Sequence, residues 1–195
     1  MARAGGDVWF VGSSLIERLR RYVGETRSRD FSFELDSHIV WMGRGGMCWR
    51  GAMCCLQAGL NRPKPRVIVL HVGGNDLGRD TGIEIGKRIK SDLRWVLNAY
   101  PETTILFSYI LPRSTFRNQR NDNPRGLNRA ARIINREVGK FLIKQGHGVV
   151  RHSQIQLKAN VIDEKGVHLN HRGNEIFLKD FQDALASVAR PRNVQ

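Results

Sequence analysis

What this chain lacks narrows it first. No run comes near the ~18 consecutive apolar residues that mark a membrane-spanning helix. The stretch before Val8 is short and polar, with no apolar segment and cleavage site, so no signal peptide is expected. Cysteine is scarce: Cys48, Cys54 and Cys55 are the full complement, an odd number crowded into eight positions. That is a poor disulfide framework. The three read as reduced thiols, small buried fillers, in a cytosolic or nuclear protein, with a cytoplasmic place expected. Acidic residues are also few, 18 Asp plus Glu against 32 Lys plus Arg, which leaves a net charge of +14. Such an imbalance favours polyanionic partners such as nucleic acid, anionic lipid or acidic substrates, although it serves solubility as well. No internal repeat, low-complexity tract or linker interrupts the 195 residues. A single domain spanning 1–195 is therefore expected, with its core at about 7–188 and with Met1 to Gly6 and Pro191 to Gln195 frayed. A fold opening at residue 7 with no tail suggests a piece excised from a larger protein.

What is present is an alternation. DVWFVG (Asp7 to Gly12) is a short apolar run closed by glycine, and SSLIERLRRYV after it carries Leu15, Ile16, Leu19 and Val23 at helical spacing. DSHIVWMG (Asp36 to Gly43) predicts a second strand and Trp49 to Leu60 a helix. RVIVLHVGG (Arg66 to Gly74) is continuous, β-branched and closed by glycines, the signature of a buried strand. The spacing predicts a helix over Ile83 to Ala99, a fourth strand over Thr103 to Leu111, a long helix over Leu127 to Lys144, a short strand over His147 to His152 and a closing helix over Ile176 to Val188. Continuous apolar strands between amphipathic helices imply a parallel sheet covered on both faces. The expected fold is a doubly wound α/β/α sandwich of about five strands. In such folds ligands bind at the carboxyl ends of the strands.

Those ends carry the chemistry. Gly12-Ser13-Ser14 follows the first strand, where serine is also a preferred helix cap. It is not a G-x-S-x-G elbow, because position 16 is Ile. Gly43-Arg44-Gly45-Gly46 follows the second and fits neither a Walker A loop nor G-x-G-x-x-G. Gly73-Gly74-Asn75-Asp76 follows the third, where Asn75 offers two amide donors and Asp76 can cap the next turn. VIDEKGVHLNHRG, with His168, follows the fifth. A serine, a glycine, an asparagine and a histidine at successive strand ends are what acyl transfer needs: a nucleophile, a base and two oxyanion donors.

On these blocks the sequence resembles the SGNH hydrolases, the GDSL-type lipases and esterases, over roughly Val8 to Ala186. VGSSL matches the first block, with Ser14 as nucleophile, although Ser13 stands where the family has Asp. MGRGGM matches the second, with Gly46 as oxyanion glycine. VGGNDL matches the third, with Asn75 as oxyanion asparagine. GVHLNHRG matches the last, with His168 as base. Leu111-Pro112-Arg113 looks like the end of the fourth strand in platelet-activating-factor acetylhydrolase relatives. Within the family, VWFVGSS, VGGNDL and the GVHL…IFL ending are similar to the esterase domain in the first-reading-frame protein of vertebrate LINE retrotransposons. The resemblance implies a serine esterase acting on a small or lipid-derived ester without metal or organic cofactor. It also implies a setting in an RNA-rich particle and contact with lipid surfaces. A carbohydrate O-deacetylase is a further reading, since the same fold and site serve that chemistry.

The family places its triad aspartate three residues before the histidine, and that position is Lys165 here. A lysine cannot orient an imidazole for base catalysis. We assign the role to Asp163. The alternatives are Glu164, a backbone carbonyl that leaves a dyad, or a weak or inactive enzyme. A competing reading makes His168 and His171 metal ligands, three apart with acids nearby. His38, His71, His147 and His152 read as packing or surface residues. Finally, Arg125, Arg129, Arg132, Arg136, Lys140 and Lys144 recur every three or four positions and form a cationic stripe on one helix. It is either the solvated back of that helix or a binding edge for RNA phosphates or anionic headgroups. With no aromatics interleaved, any RNA binding is expected to be backbone-led and salt-dependent.

Overall fold

The computed structural model describes residues 7–26, 38–116 and 123–189. The elements are β1 (Val8–Gly12), α1 (Ser14–Glu25), β2 (Ile39–Gly43), α2 (Trp49–Ala58), β3 (Val67–His71), α3 (Gly82–Ala99), β4 (Thr104–Ser108), α4 (Pro124–Lys144), β5 (Gly148–Val150) and α5 (His171–Ala189). The strands form one sheet in the order β2-β1-β3-β4-β5, parallel throughout, as the alternation predicts.

Side-chain alternation along the strands divides the apolar residues between two cores. Trp9, Val11, Ile68 and Leu70 pack with Ile89, Leu93, Ile134 and Val138 of α3 and α4. Their neighbours Val8, Phe10, Val67 and Val69 pack with Leu15 and Leu19 of α1 and Phe177 and Phe181 of α5. Phe177 and Phe181 are fully buried, a contribution of about 1.5–3 kcal/mol each from desolvation. The chain leaves β1 for the α1/α5 layer and β3 for the opposite layer. The winding reverses between β1 and β3, and in such folds ligands bind at the carboxyl edge of this switch point.

Several boundaries differ from the sequence expectation. β4 ends at Ser108: the Tyr109 N–H still donates to the Val150 carbonyl at 3.0 Å, but the N–H groups of Ile110 and Arg113 turn to Asn135 and Asn128 of α4. Helix α4 starts at Pro124, since Asn123 Oδ1 accepts the Gly126 N–H at 3.0 Å and proline suits the first turn. Helix α5 starts at His171, where Asn170 Oδ1 accepts the Gly173 N–H at 2.9 Å. The expected first residues of β2, Asp36 and Ser37, and both expected frayed ends lie outside the described residues.

Candidate active site

Ser14 is the first residue of α1, directly after the turn out of β1. That turn is stitched on two sides. The Ser13 N–H donates to the His71 carbonyl at 3.2 Å, and the Arg44 N–H donates to the Gly12 carbonyl at 3.1 Å. Ser13 stands at the cap position but makes no side-chain cap bond. The Ser14 N–H is among those a helix start leaves without an intrahelical partner, at the end that favours negative charge. Ser14 Oγ lies 3.0 Å from His168 Nε2, 154 residues along the chain.

His168 sits in a closed loop. Ile162 and Leu169 pair across its neck, and the Asp163 N–H donates to the His168 carbonyl at 2.7 Å. Gly166, at φ 71°, turns the chain so that its own N–H reaches the Asp163 carbonyl at 2.8 Å. The Asp163 side chain completes the closure: Oδ1 accepts the Val167 and His168 N–H groups at 3.2 and 3.1 Å. Its other oxygen, Oδ2, lies 3.5 Å from His168 Nδ1. Catalytic hydrogen bonds are commonly this long before substrate binds and shorten in the complex. Burial pushes the Asp163 carboxyl up. The two backbone N–H bonds and the charges of His168 and Arg18 outweigh it, so the group is held below its ordinary value and stays ionised. Lys165 and Glu164 are exposed, and the Lys165 carbonyl accepts the Thr115 hydroxyl at 2.6 Å. Asp163 is thus the carboxylate brought to the ring, by a route two residues longer than the family's.

The oxyanion candidates converge from β2 and β3. Gly46 holds φ at 72°, a left-handed conformation suited to glycine, in the loop after β2. Asn75 Nδ2 donates to the Met47 carbonyl at 3.0 Å, which ties that loop to the end of β3. Asp76 does not cap its own turn with its side chain. Its Oδ2 accepts the Trp49 N–H at 2.9 Å and fixes the start of α2. Burial pushes the Asp76 carboxyl up, opposed by that N–H bond.

A buried polar chain escaped the sequence reading. Asp180 Oδ2 lies 2.7 Å from His152 Nδ1, His152 Nε2 lies 2.8 Å from Ser108 Oγ, and Ser108 Oγ lies 2.7 Å from His71 Nδ1. It joins the ends of β3, β4 and β5 to α5 beneath Phe177. The available signal was parity: His71 and Ser108 share strand faces with Val67, Val69 and Leu106 of the α1/α5 core. His171 opens α5, and its ring meets Tyr22 edge-on at 5.1 Å; among the described residues no group of three His, Cys, Asp or Glu side chains is gathered to hold a metal ion. All six cations of the α4 stripe are exposed. Arg132, Arg136 and Lys140 border an open pocket of about 280 Å³ together with Arg151 and Tyr109. Arg125, Arg129 and Lys144 lie off it.

No family model matches the chain, and no curated protein does. Solved structures share its fold. One is a GDSL-like lipase from Bacteroides thetaiotaomicron (TM-score 0.75, 15% identity, 96% of this chain and 93% of that one). Another is a lipase/acylhydrolase from Enterococcus faecalis (TM-score 0.72, 11% identity, 97% and 100%). A third is a psychrotrophic esterase from Pseudoalteromonas sp. inhibited by monoethylphosphonate (TM-score 0.65, 13% identity, 94% and 98%). The fold is that of the SGNH, or GDSL-type, hydrolases.

Proposed function

We propose that the protein is a serine esterase for short-chain or lipid-derived acyl esters. The observation that carries this is the 3.0 Å approach of Ser14 Oγ to His168 Nε2, backed by Asp163 and facing the strand ends that hold Gly46 and Asn75. Asp163 keeps the proton of His168 on Nδ1, so Nε2 is free to act as base. Ser14 Oγ attacks the ester carbonyl carbon and passes its proton to Nε2. The resulting oxyanion is held by the N–H groups of Ser14 and Gly46 and by Asn75 Nδ2. On collapse the carbon–alkoxide bond breaks, and His168 returns the proton to the departing alcohol. Water, deprotonated by His168, then attacks the acyl-serine carbonyl carbon; the bond to Ser14 Oγ breaks, His168 returns the proton to Oγ, and the carboxylic acid leaves.

The test is hydrolysis of p-nitrophenyl acetate by wild type, Ser14→Ala and His168→Ala, each shown to be folded. Turnover in wild type and its loss in both variants supports the reading. Wild-type hydrolysis no faster than Ser14→Ala sinks it. Labelling by an alkylphosphonate, as a mass shift lost in Ser14→Ala, checks the nucleophile separately. Cys54 is exposed and Cys48 and Cys55 are half-buried, so they are not the buried fillers expected from the sequence; as free thiols they fit a reducing, cytoplasmic setting. The block similarity to LINE first-reading-frame esterase domains supports a place in a protein of that kind.

A second reading is a module that binds RNA or anionic membranes through its basic face. It is favoured by the gathering of Arg132, Arg136, Lys140 and Arg151 around one pocket. Phosphate neutralisation makes affinity fall steeply with salt. Binding to single-stranded RNA and to phosphatidylserine vesicles across a salt series distinguishes the two ligands, and weak, salt-insensitive binding to both counts against it.

A further inference from the structure

Arg113 follows β4 and is 8% exposed. Among the described residues no carboxylate bonds its guanidinium, and its Nε has no hydrogen-bond partner. Its Nη1 donates to Asn75 Oδ1 at 3.2 Å and to the Gly74 carbonyl at 3.4 Å. An unpaired buried cation is costly, so its place beside neutral partners calls for an explanation.

The molecule goes to some length to hold it there. Asn128 of α4 clamps the Arg113 backbone on both sides, Oδ1 accepting its N–H at 3.0 Å and Nδ2 donating to its carbonyl at 2.8 Å. Asn135 does the same for Ile110, at 2.8 and 3.1 Å. The spacings agree. Seven residues of helix rise about 10 Å, and three residues of extended chain cover about 10 Å, so both clamps close on a segment antiparallel to α4. Gly74 leaves the guanidinium its room: a Cβ there would lie 2.6 Å from Arg113 Nη2.

The contact also decides which way Asn75 faces. An arginine only donates, so the amide oxygen must turn toward it. The Met47 carbonyl only accepts, so Nδ2 must turn toward that. Both neighbours select one amide orientation, with the second Nδ2 hydrogen left for another acceptor. A cation on the amide oxygen also polarises the N–H bonds and strengthens them as donors.

We infer that Arg113 is the positioning residue of the oxyanion hole: it fixes the Asn75 amide and supplies, through it, the positive charge that the oxyanion balances. The inference rests on the esterase reading. It accounts for the unpaired cation, because the missing counter-charge is the one that forms during the reaction.

The experiment measures kcat and KM for p-nitrophenyl acetate in wild type, Arg113→Met, Arg113→Lys, Asn75→Ala and Asn75→Ala/Arg113→Met, with Ser14→Ala as blank and circular dichroism as the check of fold. Loss of an oxyanion donor typically lowers kcat by about 10²–10³. Arg113→Met, acting through that donor, is expected to lower kcat by about 10–10² with little change in KM. Arg113→Lys keeps the charge without the fork and falls between. The decisive reading is non-additivity: the double variant should be no slower than Asn75→Ala alone. Wild-type kcat in Arg113→Met, or losses that multiply in the double variant, overturns the inference and leaves the esterase reading standing. If Arg113→Met does not fold, the same comparison is made with Arg113→Lys, whose loss must vanish in the Asn75→Ala background. Absence of Ser14-dependent turnover in wild type overturns both.

Discussion

Asp163 grips His168 at two places, with Oδ1 on the backbone N–H at 3.1 Å and Oδ2 at 3.5 Å from the ring Nδ1. One carboxylate therefore shapes the loop and faces the imidazole ring. The two tasks separate by substitution. Asp163→Asn keeps an acceptor for the loop, so the melting temperature should hold while kcat falls by about 10²–10⁴. Asp163→Ala should lose the rate and, in addition, about 1–3 kcal/mol as two N–H groups lose their acceptor. Lys165→Ala should leave both nearly unchanged. Steady-state kinetics beside thermal melts make the comparison. Since Asp163 is held below its ordinary value of 3.8, its stabilisation is present above that value and lost as pH falls through the lowered folded-state one.

Gly46 has open space where a side chain would go, yet its φ of 72° penalises one. Gly46→Ala should cost about 1–2 kcal/mol of backbone strain. Relief of that strain by a shifted loop would carry the N–H off the oxyanion, so kcat should fall while phosphonate labelling of Ser14 persists. Equal losses in both assays would point to a collapsed site instead.

The two asparagine clamps are expected to differ in their effect on rate. Asn128→Ala and Asn135→Ala each strip partners from buried backbone groups, at about 1–3 kcal/mol of stability apiece. Asn128 holds Arg113 directly, whereas Asn135 holds Ile110 three residues away. Denaturant melts should therefore show comparable losses, with a marked drop in kcat in Asn128→Ala alone.

The buried chain from Asp180 to His71 makes stability depend on pH. Burial, with the nearby His152 and Arg113, pushes His71 well below its ordinary 6.5, and burial lowers His152 despite the opposing Asp180. Depressed imidazoles take up protons more readily once unfolded. Their contribution is complete above about 6.5 and drains away as pH falls from there toward the lowered values. Urea unfolding should thus show lower stability near pH ~5 than near pH ~7.5. Ser108→Ala, which leaves both imidazoles short of a partner, should cost about 1–3 kcal/mol at neutral pH. A flat pH profile would contradict neutral buried histidines.

Element order, parallel pairing and the placing of Ser14, Gly46, Asn75 and His168 at strand ends were legible because they rest on local signals: apolar runs, glycines and the switch-point rule. Asp163 was reachable because Lys165 is chemically unfit and few acids stand near. Arg113 was not, since an arginine after a strand looks the same whether it faces water or a buried amide. Asn128 and Asn135 lie among the exposed arginines of α4 and read as part of its polar side. The pairing of His152 with Ser108 and Asp180 spans 44 and 28 positions and needs the sheet register before it can be seen.

The sheet acts as a partition between two halves of the chemistry. Ser14, His168 and Asp163 hang from the α1/α5 side, whereas the supports of Asn75, Met47 and Arg113 among them, belong to the side of α2, α3 and α4. The proposed nucleophile and base, with the Ser14 N–H, are assembled on one side, and the Asn75 amide with its supports on the other. A collection of variants ranked once by probe capture and once by product release should sort by the layer each substitution occupies. Those from the far side would form a class of its own, proteins that take the probe readily and turn over little.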